Sequence, residues 1–97
     1  MLVLETYQSL KSQNPDTVLF MQLGDFYEAF DADAEIVAKE TGLTLHTVGA
    51  SDVKMAGAPC STIDGYVAQL LKKGYHVAMA KREGRAGGEM AVKGERT

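Results

Sequence analysis

Residues Thr17 to Leu23 (TVLFMQL) form a run of seven uncharged positions that stops at Gly24-Asp25. So apolar a run, partly β-branched and too short for a typical helix, reads as a buried central strand. The rest of the chain must therefore supply elements that cover it.

The flanking periodicities supply them. Val3, Tyr7 and Leu10 recur at i, i+4 and i+7, predicting an amphipathic helix over 2–13 that stops before Pro15, with Asn14-Pro15-Asp16 as the turn. Phe26 to Phe30 suits a second extended piece. Asp31 is expected to cap a helix over 31–41, with Asp33 and Glu35 in its first turns and Phe30, Ala34, Val37 and Ala38 facing inward. Gly42 ends that helix, Leu43 to Val48 alternates as a half-buried strand, and Gly49 to Asp52 is a turn. Met55 to Pro59 is expected to be a brief extended piece or loop. Ser61 or Thr62 is expected to cap a third helix over 61–73, whose stripe is Ile63, Val67, Leu70 and Leu71, and Tyr75 to Ala80 is the last clear strand. This order predicts an α/β fold, a mixed β-sheet flanked by helices. The domain is expected to span residues 1–82. Residues 83–97, Gly-rich and partly basic, lose all periodicity and are expected to be a mobile tail.

With 97 residues, 45% of them apolar, the chain has material for one core and not two. Cys60 is the only cysteine, which excludes an internal disulfide framework and a multi-cysteine zinc site. The start Met1-Leu2-Val3-Leu4-Glu5 lacks a basic leader, and no apolar run approaches the roughly 20 residues of a membrane span, so a soluble, non-exported chain is expected. A formal charge of −3 gives no general reason for tight, non-specific nucleic-acid binding. The charge is uneven, however: residues 16–40 sum to −6 and residues 81–97 to +2. The C-terminal end, with Lys81 and Arg82, and the pair Lys72-Lys73 are the candidate phosphate contacts.

The segment Gly24-Asp25-Phe26-Tyr27-Glu28 is the most informative for chemistry. In extended chain Phe26 and Glu28 share a face, about 6.8 Å apart, roughly the thickness of two stacked bases. An aromatic wedge can enter a base stack while the carboxyl beside it samples a base edge. Phosphates repel a carboxylate, so it is useful only where it meets a donor or takes up a proton. A mispaired or unpaired base offers weak stacking and unsatisfied edges. The same residues also fit a plainer reading, in which Phe26 and Phe30 are core and Glu28 is solvated. Asp31 or Asp33 with Asp52-Val53-Lys54 faintly matches the D…D-x-K pattern of metal-dependent nucleases. His46 and His76 lack a paired ligand or nucleophile and read as partly exposed structural histidines, and Cys60 reads as a small buried cysteine.

Tyr7-x-x-Leu10-Lys11, Pro15 and the stretch Val18 to Phe30 resemble the start of the MutS family of DNA mismatch repair proteins, where Gly-Asp-Phe-Tyr-Glu holds a Phe-x-Glu mismatch motif. The likeness continues through Thr41-Gly42-Leu43-x-Leu45, Gly49-Ala50, Met55-Ala56-Gly57-x-Pro59, Tyr66-Val67-Ala68-x-Leu70 and Lys72-Lys73-Gly74-Tyr75-x-Val77-Ala78, in order and at similar spacing. It implies a mixed α/β N-terminal domain in which Phe26 stacks on a mispaired base from the minor groove and Glu28 hydrogen-bonds it. It implies no enzyme activity, no cofactor and no metal here. Mismatched double-stranded DNA is the implied partner, with the remaining domains of a MutS-type protein or other repair proteins, in the cytoplasm at the nucleoid. The sequence holds no G-x-x-x-x-G-K-[ST] loop, so ATP binding is expected only in full-length relatives. Departures are His46-Thr47-Val48 where many relatives carry Thr-Lys-Arg, Pro59-Cys60-Ser61 for Pro-Tyr-His, and Ala80-Lys81-Arg82 for Cys-Glu-Gln. Two other functions remain open on these residues: a protein-interaction or regulatory module that keeps the fold, and the nuclease.

Overall fold

The computed structural model describes residues 2–82 and 90–95. Its elements in chain order are α1 (Leu2–Gln13), β1 (Thr17–Leu23), β2 (Phe26–Phe30), α2 (Asp31–Thr41), β3 (His46–Thr47), β4 (Lys54–Pro59), α3 (Ile63–Lys72), β5 (His76–Arg82) and β6 (Met90–Glu95). They build one mixed sheet in the order β3-β4-β2-β1-β5-β6, in which β1 and β5 run parallel and every other pair is antiparallel.

β1 lies inside this sheet, which explains its sequence. Strand alternation sends Val18 and Phe20 to one face, under α2 and α3, with Tyr27, Ala29, Ala58 and Val77. Leu19 and Met21 go to the other face, under Tyr7 of α1, with Phe30, Ala78 and Ala80. Because both faces are covered, four consecutive residues, Val18 to Met21, are buried. A strand covered on one face alone would have alternated.

Helix α1 is locked by a polar node. The Tyr7 hydroxyl is shared between the Leu19 carbonyl, 2.6 Å away, and Asp33 Oδ2 at 2.8 Å. Asp33 also accepts from the Leu19 amide at 3.1 Å and from Lys11 Nζ at 2.9 Å. Lys11 reaches the Thr17 carbonyl as well. Burial, with Asp33 adding to it, holds the Tyr7 phenol above its ordinary range, so it stays a neutral donor. The contacts Tyr7–Leu19 and Lys11–Thr17 also fix direction: α1 runs antiparallel to β1, and its N-terminal end lies toward Leu23.

Two sequence expectations differ from the structure, and two more are narrowed by it. Leu43 to Val48 pairs only at His46 and Thr47, both exposed, since β3 is an edge strand with no neighbour beyond it and the turn at Gly49 follows at once. Met55 to Pro59 takes the extended alternative, within a strand from Lys54 to Pro59, because Ala56, Gly57 and Ala58 are small enough to lie close against β2. Asp31 does not cap its helix. Phe30 holds the N-cap position without a side-chain bond, and Asp31 turns the corner from β2 directly into α2 with φ +51, a left-handed conformation that aspartate tolerates better than most residues. Thr62, one of the two residues expected there, occupies the N-cap of α3, though without a side-chain bond.

The division of the chain at residue 82 also meets a difference. Met90 to Glu95 pair along β5 from Arg82 back to Val77, so main-chain pairing carries the sheet past the loss of side-chain periodicity. The mobility expected of residues 83–89 lies outside the described residues.

Candidate nucleic-acid interface

The tip of the β1–β2 hairpin is a two-residue turn, with Leu23 facing Phe26 across it. Gly24 takes φ +60, the backbone geometry such short turns require. Asp25 ties the tip to the next strand by accepting from the Cys60 amide at 2.7 Å. Phe26 thus opens β2 at the end of the sheet, paired with Leu23 on one side and Pro59 on the other. It is 44% exposed.

Alternation along β2 places Phe26, Glu28 and Phe30 on the α1 face, and Tyr27 and Ala29 on the opposite one. Phe30 lies beneath α1, its ring edge-on to Tyr7 at 4.9 Å between centroids. Phe26 lies beyond that cover. Leu2, the first residue of α1 and 77% exposed, lies toward the same end of the face.

Between the two phenylalanines sits Glu28, only 7% exposed. Its Oε1 is buried with no hydrogen-bond partner. Burial pushes its carboxyl above the ordinary glutamate range, opposed by an electrostatic contribution from the His46 imidazole. His46 pairs with Met55 on β4, itself packed in the α1-side layer, so the imidazole belongs to the same face. Gly57 lies directly across from Glu28. A Cβ there would run into the Tyr27 carbonyl oxygen and Glu28 Oε1.

The expected basic contacts are divided by the fold. β5 runs parallel to β1, with Thr17 beside His76 and Met21 beside Ala80, so Lys81 and Arg82 arrive at the same end of the sheet as Phe26. Lys81 follows Val77 and Met79 onto the α3 face, where it borders a hollow of about 350 Å³ with Tyr27, Cys60 and Asp64. Lys72 and Lys73 precede β5 and lie at the other end, roughly 20 Å away at strand rise. Lys73 is engaged there, bonded to the Glu40 carbonyl and carboxylate of α2. Phe26 and Glu28 are therefore brought together, Lys81 and Arg82 lie at their end of the sheet, and the Lys72-Lys73 pair does not join them.

The nuclease pattern does not assemble. Asp33 is buried with both carboxylate oxygens engaged by Tyr7, Leu19 and Lys11, while Lys54 is paired with Glu35 at 2.6 Å. Among the described residues no three His, Cys, Asp or Glu side chains are placed to share a metal ion. Nor is any described helix long and apolar enough to cross a membrane.

Gly57 and His46 were not legible as site residues. Met55-Ala56-Gly57-x-Pro59 stood out in the sequence as a motif, but the use of its glycine depends on a cross-strand register that no local pattern reveals.

Fold and face together define a mixed α/β domain that presents an exposed ring and a sheltered carboxyl beside the tip of a hairpin. Residues 3–94 match the model of MutS domain I, and the chain belongs to that family. It is 43% identical over 83 residues to the DNA mismatch repair protein MutS of Halothermothrix orenii, covering 82% of this chain and 9% of that protein. The protein of the same name from Desulfovibrio desulfuricans is 45% identical over 78 residues, 77% of this chain and 8% of its own. That from Pelotomaculum thermopropionicum is 42% identical over 82 residues, covering 82% and 10%. The chain thus spans a tenth or less of the length of these relatives.

Proposed function

We propose that this domain is a DNA-recognition module that reads mispaired or unpaired bases in duplex DNA, Phe26 entering the base stack and Glu28 meeting the edge of the displaced base. The observation that carries the reading is the contrast within β2: an exposed ring at the end of the sheet stands two residues from a buried carboxyl with an unmatched oxygen. A buried ring has no access to a stack. A fully solvated carboxylate meets phosphate repulsion with nothing to offset it. Burial favours the neutral carboxyl of Glu28, which lowers that repulsion and allows it either to donate or to accept at a base edge.

The role is binding rather than catalysis, and chemistry that uses ATP belongs to parts of a MutS-type protein outside these residues. Mismatched duplex is the partner, together with those other domains, in the cytoplasm at the nucleoid. Lys81 and Arg82 supply phosphate contacts at the reading end. Lys72 touches a duplex only if it runs along the sheet for about 20 Å.

The test is binding of matched, mismatched and single-base-loop duplexes at two salt concentrations, by the parent and by Phe26→Ala. The parent should prefer the defective duplexes, and Phe26→Ala should lose that preference, worth about 1 to 3 kcal/mol. Equal binding of all three duplexes by the parent in low salt would overturn the reading in favour of a protein-interaction module.

A further inference from the structure

We propose that Gly57 is a positioning residue for the base-reading carboxyl: lacking a side chain, it forms on β4 the notch that holds Glu28 below the surface of the α1 face. This rests on the reading of Phe26 and Glu28 given above. The described glycines fall into distinct kinds. Gly24, Gly42, Gly49 and Gly74 have positive φ and open space around them, and Gly65 has open space alone. Gly57 has no positive φ to explain it. Instead an ideal Cβ would collide with the Tyr27 carbonyl oxygen and with Glu28 Oε1, and would stand 2.9 Å from Glu28 Cα.

The oxygen that this Cβ would strike is the same one that is buried without a partner. Any side chain at 57 must push β4 away from β2, because the Tyr27 carbonyl oxygen and Glu28 Cα are backbone atoms, and must also displace the Glu28 carboxyl unless that shift clears it. Displacement would carry the carboxyl into water, where it ionises in the ordinary range and repels phosphate. The absent side chain thus sets both where the carboxyl sits and which charge state it favours. The groups around Glu28 are few. Met21 faces it from β1 and Gly57 from β4, neither charged. Tyr7 of α1 meets neighbouring Phe30 edge-on with its hydroxyl turned to Leu19 and Asp33, and the His46 imidazole on β3 is the titratable group that acts electrostatically on Glu28.

Two readouts on Gly57→Ala test the proposal, with melting followed in each variant. The first needs no DNA: carboxyl-carbon NMR should show Glu28 titrating above the ordinary glutamate range in the parent and back within it in Gly57→Ala. The second is a double-mutant cycle on mismatch preference. Gly57→Ala should lower the preference about tenfold in the parent background and less than about twofold when Glu28 is already alanine, because coupled residues are non-additive. An unchanged Glu28 titration in a folded Gly57→Ala domain, or equal losses in both backgrounds, would show that the glycine serves only the approach of β4 to β2. Should Gly57→Ala fail to fold, the parent titration decides: an ordinary midpoint overturns the notch and a raised one supports it. If the parent does not discriminate between duplexes, the mismatch reading fails while the titration still tests the notch.

Discussion

Two phenylalanines of one strand, four residues apart on one face, have opposite tasks. Phe30 is 2% exposed beneath Tyr7, whereas Phe26 is 44% exposed beyond the helix. Phe30→Ala should therefore lower folding stability by about 3 to 5 kcal/mol, the ordinary penalty for an aromatic cavity. Phe26→Ala should lower it by less than about 1 kcal/mol, as for surface substitutions. Urea denaturation of both variants checks this, and similar losses would mean that Phe26 is a core residue after all. Glu28 gives a prediction of opposite sign to most carboxylates. Its folded-state pKa is raised by burial, so its contribution to stability is full below its unfolded pKa and is lost as pH rises from there through the folded value. Glu28→Gln should then melt above the parent at pH 7, with the difference shrinking as pH falls toward 4. A variant that melts below the parent at pH 7 would show that the ionised form is stabilised by the fold.

At the scale of elements, α1, β1 and α2 meet at one carboxylate. Asp33 takes bonds from Tyr7, the Leu19 amide and Lys11, and is 4% exposed. Asp33→Ala leaves the buried Leu19 amide without this acceptor and Lys11 without its carboxylate partner, while the Tyr7 hydroxyl keeps the Leu19 carbonyl. The loss should be about 3 to 5 kcal/mol, against about 1 to 2 for Tyr7→Phe, which removes one hydroxyl and leaves Asp33 its other donors. Denaturant midpoints at constant m-value would measure both, and equal losses would argue against a shared node. None of this node was legible from local pattern: Tyr7 read as one apolar position of a stripe and Asp33 as an acid favoured by a helix dipole. The helices, β1 and β2 were legible, because their periodicity and length are local properties of the chain. β4 was legible only as an extended piece or loop, since Ala56-Gly57-Ala58 has no strand propensity of its own and gains strand structure by fitting against β2. Phe26 and Glu28 could be placed on one face from alternation alone. Their different exposure depends on where α1 ends, which is tertiary information. Lys72 and Lys73 were grouped with the reading site by charge, and the parallel course of β5 sends them to the far end.

Across the whole molecule, β6 covers the outer edge of β5 over six paired positions, from Val77 to Arg82. Truncation after Arg82 would turn β5 into an open edge and should lower the melting temperature by more than about 5 °C, roughly 1 kcal/mol for a domain of this size. An unchanged melting point would mean that residues 83–97 form a dispensable tail. Charge at this scale decides how DNA is held. The chain has a formal charge of −3, and Lys11, Lys54 and Lys73 are paired with Asp33, Glu35 and Glu40. If the proposed duplex seats at the Phe26 end, Lys81 and Arg82 are the candidate contacts there among the described residues, because β5 ends at that side and Lys72 stands at the opposite end of the sheet. Each neutralised phosphate contributes about −0.9 to the slope of log affinity against log salt. Two such contacts should therefore give the isolated domain a slope of about −1.8, losing roughly 12-fold in affinity between about 50 and 200 mM salt. Lys81→Gln should flatten that slope by about 1, alike for matched and mismatched duplexes, since phosphate contacts position and do not specify. Lys72→Gln should leave the slope unchanged. A slope steeper than about −4, or one that Lys72→Gln flattens and Lys81→Gln does not, would show that the duplex lies along the sheet rather than across its hairpin end.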